Sequence, residues 1–339
     1  MPTIKDVARR ARVSTATVSY VLNNTAPISE QTRARVLQAV KELGYRPSIT
    51  ARNLRANESR IIGYAWHSTD DPDRYNFILS RFIHYMATTA AQHEYHVMTF
   101  THSRQETLDV YVDLIETGRV DGFVVSDTVL NDERIRFLMD KQFPFVAFGR
   151  ANPEWDFPYV DVDGRDGTRQ ATAHLLQQGH TRIAFLGWPS GSLAGDHRLS
   201  GYVEAMADAG LAVDPDWIQR GHETASSGFE LTERLLALPA TRRPTAIVAV
   251  SDMMAIGAMR AVTAAGLRVG PDIAITGFDD SALVEHLQPP LTSVRQPLRQ
   301  VAEKLVEMLI RQVTGELLAE HRVLLRPELV VRESSVATG

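Results

Sequence analysis

The chain has no cysteine among its 339 residues. A disulfide framework, a thiolate zinc site, an iron–sulfur cluster and a cysteine nucleophile are therefore excluded. Long apolar runs are missing too, since nothing approaches the ~18 residues of a membrane span. The first residues, MPTIKDVARRARVS, are charged and carry no apolar h-region. No secretory leader is expected, and the expected location is the cytoplasm. Signatures of nucleotide and hydrolase chemistry are also absent: there is no GxxxxGK[ST] loop, no GxGxxG after a strand, no HExxH and no GxSxG elbow. Gly187, Gly191 and Gly195 lie four apart without a lysine and read as turn glycines. His93 and His96 stand three apart with no third candidate ligand nearby in sequence. No catalytic residue, cofactor or metal is expected, and an enzyme is disfavoured.

What is present is an ordinary globular balance, 44% hydrophobic and 23% charged, in a chain long enough for two or three domains. The net charge of −5 hides an asymmetry. Residues 1–60 hold 11 Lys+Arg and 4 Asp+Glu, a net of +7. The remainder then holds 36 − 11 = 25 basic and 41 − 4 = 37 acidic residues, a net of −12. A basic head on an acidic body points to a polyanion-binding module fused to something else.

The head reads as three short helices. Thr3 to Asp6 has capping-box form, and Ile4, Val7, Ala8 and Ala11 make one apolar stripe. Arg12, Val13 and Ser14 form a tight turn, and Ser14 can cap the next helix. There Val18, Val21 and Leu22 share one side, while Thr15, Ala16, Ser19, Tyr20 and Asn23 share the other. A third helix is expected from Ser29 to Gly44, burying Ala34, Leu37, Val40 and Leu43. Such a pattern fits a generic three-helix bundle as well as a helix-turn-helix. The exposed face decides for the latter, because it is small, polar and poor in acids, with Lys5, Arg9, Arg10, Arg33 and Arg35 around it. Residues 45–56 follow, with Pro47 ending one element and Ser48 able to cap a short helix carrying Ala51, Leu54 and Arg55. Such a helix is marginal alone. It suits a minor-groove wedge, with Leu54 unstacking a base step; a helical linker is the alternative.

The body alternates apolar runs (60–66, 96–101, 122–126, 144–149, 159–163, 182–188, 246–251 and 273–278) with amphipathic stretches such as 167–178, 198–209 and 228–238. Short buried runs alternating with helices mean parallel sheets covered on both faces. There are too many for one unit, so two Rossmann-like lobes are expected, with a ligand beyond the carboxyl ends of strands.

The residues carry a resemblance. TIKDVARRARVSTATVSYVLNN (3–24), KELGYRPS (41–48), RVDGFV (119–124), GHTRIAFLG (179–187), SDMMAIG (251–257), GFDD (277–280) and PPLTSVRQP (289–297) together resemble the LacI/GalR transcriptional regulators across essentially the whole chain, in the family's order. The resemblance implies an all-α helix-turn-helix head (1–47) and a hinge helix (48–58). It implies an α/β core of two Rossmann-like, periplasmic-binding-protein-like lobes, 59–162 plus 295–326 and 163–294 plus 327–339. It further implies a homodimer on a palindromic double-stranded operator, with a small effector between the lobes. Some members carry a leucine-heptad tail that makes them tetramers, whereas this chain ends soon after Ser335.

Carried over position by position, base reading falls to Thr15, Ala16 and Tyr20, where Ala16 offers only apolar contact and Tyr20 one hydrogen bond. Phosphate contact is the alternative for Tyr20. Thr3, Thr17, Asn23 and Tyr45 match backbone-touching positions; Ala51, Leu54 and Arg55 lie in the hinge. For the effector, Arg198 matches the clamping arginine, Asp279 the acidic acceptor, Ser251 a polar cleft position and Gln296 a crossover at the cleft edge. Arg150 and Glu223 depart from members that hold aromatic rings there around a flat base, which points to a ligand dense in hydroxyls. A longer loop at 67–77 is expected to bring Trp66, Tyr75 and Asn76 to the cleft mouth, with core packing the alternative for Trp66. The expectation is a repressor of carbohydrate-utilisation genes released by a mono- or disaccharide. The alternatives are a corepressor-type regulator sensing a nucleobase, and a sugar-binding protein without a DNA role. No membrane partner is expected.

Overall fold

A computed structural model describes residues 2–23, 25–45, 58–67, 77–102 and 107–336. The chain forms two compact units, Met1–Ser59 and Arg60–Gly339.

The first unit holds α1 (Ile4–Ala11), α2 (Thr15–Asn23) and α3 (Glu30–Leu43). The capping box at Thr3 forms, with its backbone N–H donating to Asp6 Oδ2 at 2.9 Å and its hydroxyl at 2.7 Å. These bonds hold the Asp6 carboxyl below its ordinary pKa. Ser14 caps α2, its hydroxyl accepting the Thr17 N–H at 3.0 Å. Val7, Ala8, Ala11, Val18 and Val21 are buried, as the two stripes demand. The third stripe is different. Val36 and Ala39 are buried, with Val40 and Leu43 packed against them, whereas Ala34 and Leu37 are exposed. Steps of three residues drift 60° backwards each time, so 34, 37, 40 and 43 cannot share a face; 36, 39, 40 and 43 can.

The second unit has two six-stranded sheets. The first, in the order β11-β5-β4-β3-β1-β2, contains β1 (Ile61–His67), β2 (His96–His102), β3 (Gly122–Val125), β4 (Phe145–Phe148), β5 (Tyr159–Val162) and β11 (Arg322–Leu325). Every pairing in it is parallel. Helices α4 (Phe77–Gln92), α5 (Thr107–Glu116), α6 (Glu133–Asp140) and α11 (Leu298–Val313) cover it. The second, β12-β10-β9-β8-β6-β7, contains β6 (Ile183–Gly187), β7 (Ile218–Arg220), β8 (Ala246–Ala249), β9 (Ala274–Asp279), β10 (Thr292–Arg295) and β12 (Glu328–Val330). Only β12 runs antiparallel to its neighbour. Its helices are α7 (Gly164–Gln177), α8 (Leu193–Asp208), α9 (Ala225–Leu236) and α10 (Asp252–Ala264). The central strands β3 and β8, GFVV and AIVA, are buried throughout, as parallel strands sandwiched by helices must be.

The chain passes between the lobes between β5 and α7, between β10 and α11, and between β11 and β12. All eight apolar runs fall on strands, while β7, β10, β11 and β12 were not anticipated. β10 is TSVR, polar by sequence and yet buried, because the Ser293 hydroxyl donates to Asp252 Oδ1 at 2.6 Å and the Thr292 hydroxyl to the Arg332 carbonyl at 2.9 Å. The other three are short and partly exposed, so they present no continuous apolar run. Helices expected from 167, 198 and 228 begin three to five residues earlier, at Gly164, Leu193 and Ala225. Their starts are set by the caps Asp163, Ser192 and Thr224. Among the described residues no helix is long and apolar enough to cross a membrane.

Candidate effector cleft and reading head

Both lobes present the carboxyl ends of their parallel strands to one cleft of about 560 Å³. Strand order 2-1-3-4-5, repeated as 7-6-8-9-10, creates the crevice at which α/β folds bind ligands. The first lobe contributes Ser126 and Asp127 after β3 and Arg150 after β4. The second contributes Trp188 after β6, Glu223 after β7 and Asp279 at the end of β9.

Arg198, on the first turns of α8, is the most constrained side chain in the wall. It is 7% exposed, its Nη1 donates to the Val250 carbonyl, and its guanidinium carbon lies 3.6 Å from the Phe278 ring centre and 4.7 Å from that of Trp188. A planar, weakly hydrated guanidinium suits such a position between two rings better than a compact ammonium does. Burial lowers the guanidinium's pKa, and Asp279 and Glu223 oppose that shift. Arg198 Nε and Trp188 Nε1 are buried donors without a protein partner. Asp279 carries φ of 118°, and Gln296 Nε2 donates to its Oδ1 at 2.6 Å. Burial raises the Asp279 carboxyl's pKa well above the ordinary range, with Arg198 pulling the other way.

Arg150 and Glu223 both line the cleft, as do Arg198, Asp279 and Gln296. The Arg150 Nε donates to Asp161 Oδ2 at 2.7 Å, so this cation arrives already neutralised. Ser251 is not among the lining residues. It is fully buried and caps α10, accepting the Met254 N–H at 3.4 Å, because a strand running straight into a helix needs a hydroxyl at that joint. Trp66 lies in β1, and its side chain is outside the described residues, as are Tyr75 and Asn76. Sequence reasoning did not single out Asp127, Asp161, Trp188, His197 or His222. Asp127, Trp188 and His222 stand one or two residues past the ends of β3, β6 and β7, so the strand-end rule applied to every strand would have found them. Burial lowers the His197 pKa, and Arg150 adds to the shift.

In the head, Thr15, Ala16 and Tyr20 are exposed on one side of α2, Tyr20 at 45%. The Thr17 hydroxyl lies 2.9 Å from that of Ser14, within the cap. Thr3 is exposed and tied to Asp6, while Tyr45 packs partly on the head's core. Asn23 ends α2 with its side chain outside the described residues, which also exclude Ala51, Leu54 and Arg55. Arg9 pairs with Asp6 at 3.2 Å and Arg10 with Glu42 at 2.6 Å, so part of the basic charge is compensated internally.

A helix-turn-helix head joined in one chain to a bilobal core with a polar cleft defines a ligand-responsive DNA-binding protein. Comparison with known proteins agrees. Residues 3–48 match the model of bacterial regulatory proteins of the lacI family, and residues 172–335 match a periplasmic binding protein-like domain. The HTH-type transcriptional repressor CytR of Escherichia coli K12 is 35% identical over 336 residues, covering 99% of this chain and 96% of its own. A LacI-family regulatory protein from Chloroflexus aggregans is 46% identical with a TM-score of 0.78, over 81% of this chain and 98% of its own. The complex of the transcriptional regulator CelR with cellobiose is 32% identical with a TM-score of 0.75, over 98% of this chain and 100% of its own. This chain belongs to the LacI family of transcriptional repressors, and it is a DNA-binding regulator of that family and not an enzyme.

Proposed function

We propose that the chain represses carbohydrate-utilisation genes in the cytoplasm, binding a palindromic operator as a homodimer until a mono- or disaccharide in the cleft releases it. The observation that carries this reading is the division of the cleft wall. Leu79, Phe82, Val129 and Phe148 of the first lobe are apolar lining residues, while Arg150 and Asp161 of that lobe, Arg198, Glu223 and Asp279 of the second and Gln296 at a crossover are polar ones. A sugar has the same division, an apolar C–H face and an edge of hydroxyls that each donate and accept. A flat base asks for rings on both faces, whereas Arg150 and Glu223 in the cleft wall offer a guanidinium and a carboxylate. The similarity to a regulator solved with cellobiose supports the same ligand class. On the DNA side, Thr15, Ala16 and Tyr20 read bases, Thr3, Thr17, Asn23 and Tyr45 touch backbone, and Ala51, Leu54 and Arg55 form the hinge contact. The head spans 1–47, the hinge 48–58, and the lobes divide at the three crossings.

The test is a thermal-shift screen of the full chain against mono- and disaccharides and nucleobases, followed by operator titration with each hit. A sugar that stabilises the protein and weakens operator binding is the expected result. A nucleobase hit that tightens operator binding would replace this reading with the corepressor one.

A further inference from the structure

The first lobe's side of the cleft is held from behind. Ser126, Asp127, Thr128 and Val129 follow β3, and Gly149 and Arg150 follow β4. The turn after β3 is not a relaxed one. Asp127 has φ of 51° and Asn131 φ of 58°, in the left-handed region that a residue with a Cβ occupies at a cost.

The turn is fixed by a buried ion pair. Asp132 is 1% exposed and Arg134 7%, and neither lines the cleft. Arg134 Nε donates to Asp132 Oδ1 at 3.0 Å and its Nη2 to Oδ2 at 2.7 Å. The same Nη2 reaches the Ser126 carbonyl at 3.0 Å and the Asp127 carbonyl at 3.2 Å. Asp132 caps α6, accepting the Arg134 N–H at 3.0 Å, and its Oδ2 also accepts the Val129 N–H at 3.3 Å. The pair therefore binds backbone at both ends of the lining stretch 126–129. Burial works to raise the Asp132 carboxyl's pKa, and the bonds from Arg134 and from the backbone outweigh it. The bracing continues along the wall. The Ser126 hydroxyl lies 2.8 Å from that of Tyr64, the Thr128 hydroxyl donates to the Arg150 carbonyl at 2.8 Å, and Asn152 Nδ2 donates to Asn131 Oδ1 at 2.6 Å. The turns after β3 and β4 are thus tied to each other.

Starting a helix does not require a buried cation, since α8 and α9 start on the hydroxyls of Ser192 and Thr224. Taking two charges out of water is a costly way to fill a core. Here the bonds left over from the pair go to the backbone of cleft residues. We infer that Arg134 and Asp132 are positioning residues of the effector site, which touch no ligand and hold the 126–129 turn in the shape that binds it. The inference rests on the cleft being the effector site, and not on the effector being a sugar. A planar fork can meet a carboxylate and two carbonyls at once, whereas an ammonium offers no such fixed geometry. Without the fork the turn has to be ordered when the effector arrives, at the expense of affinity.

The experiment is calorimetric titration of the full chain with glucose, cellobiose and adenosine, in wild type, in Arg134→Lys and in the double variant Asp132→Asn/Arg134→Met. The double variant removes both charges together and keeps a side chain able to cap α6, so no lone buried charge is left to unfold the protein. Amide hydrogen exchange is followed on the same three proteins. A probe that binds wild type should bind each variant about tenfold more weakly at unchanged stoichiometry. Exchange should quicken in residues 126–132 while β3 and β4 keep their wild-type protection. A role in stability alone lowers the melting temperature and leaves the affinity of the folded protein as it was, and that result overturns the inference. Weaker binding with faster exchange throughout the first lobe overturns it too. Binding of adenosine and of neither sugar removes the carbohydrate reading, and the same two variants then decide the inference with adenosine as the probe. Silence of wild type toward all three probes overturns the cleft assignment and the inference with it.

Discussion

Asp252 is a residue whose chemistry is set by what covers it. Its carboxylate is 2% exposed and accepts from the Ser293 hydroxyl at 2.6 Å and the Ser281 N–H at 2.7 Å. Burial outweighs those bonds and raises its pKa to about 6. A folded pKa above the ordinary 3.8 means the folded state prefers the protonated form. Its contribution to stability is therefore greatest below about 3.8, declines as pH rises to about 6, and is flat above. Asp252→Asn removes that decline. Melting temperatures of both proteins at pH 4 and pH 7 should show the variant gaining on wild type at the higher pH, by on the order of a few kcal/mol. An equal gap at both pH values contradicts the assignment. Taking the difference between the two proteins cancels carboxyls such as Asp132, whose pKa is lowered and whose slope has the opposite sign. At this scale the sequence was legible where a residue type has one use. Arg198 and Asp279 stood in recognisable motifs and lie in the cleft. Ser251 stood in one as well, yet a serine after a strand serves a helix cap as readily as a ligand, and only burial separates the two.

Between elements, the closest packing is made by glycine. On α9 and α10, a Cβ at Gly228 would collide with the Met254 carbonyl oxygen and one at Gly257 with that of Ala225. Both glycines have ordinary helical φ, so their role is close approach and not backbone freedom. Gly257→Ala should cost about 1–3 kcal/mol in urea denaturation, because backbone, unlike a flexible side chain, cannot step aside. No loss of stability would mean the two helices separate cheaply. Strand positions were readable because a strand covered on both sides is a continuous apolar run. Helix starts were read late because periodicity marks the buried stripe, whereas the first turn is fixed by Asp163, Ser192 and Thr224. The third head helix lies where it is expected, with Ser29 and Gly44 as its caps, but its buried stripe does not, because steps of three residues do not hold one helical face.

For the whole molecule, regulation requires that ligand and operator prefer different arrangements of the same chain. Arg81, on α4 of the first lobe, donates to the Asp280 carbonyl of the second at 3.1 Å. Asp280, with φ of 49°, follows the cleft residue Asp279, and its carboxylate is held by Arg295 at 2.6 Å and Arg332 at 2.7 Å. The lobes thus touch one residue from the cleft-lining Asp279. If a sugar lowers operator affinity by some factor, operator must lower sugar affinity by the same factor. Titrating sugar into free protein and into the protein–operator complex measures both numbers. Unequal factors would show that a further equilibrium, such as dimer dissociation, has been counted with the switch.

Three passages of chain between the lobes also impose an order on synthesis. Residues up to 162 supply five strands of the first sheet, but its edge strand β11 and the helix α11 that covers it come only at 298–325. The second lobe's strands β6 to β10 have all been delivered by residue 295, in one contiguous stretch, and lack only β12. A ribosome working from the N-terminus therefore hands over the first lobe before the second and leaves it open longest. During that interval the apolar face that α11 later seals, with Val124, Val146 and Val160 in it, is exposed to other nascent chains, so aggregation during synthesis should begin from the first lobe.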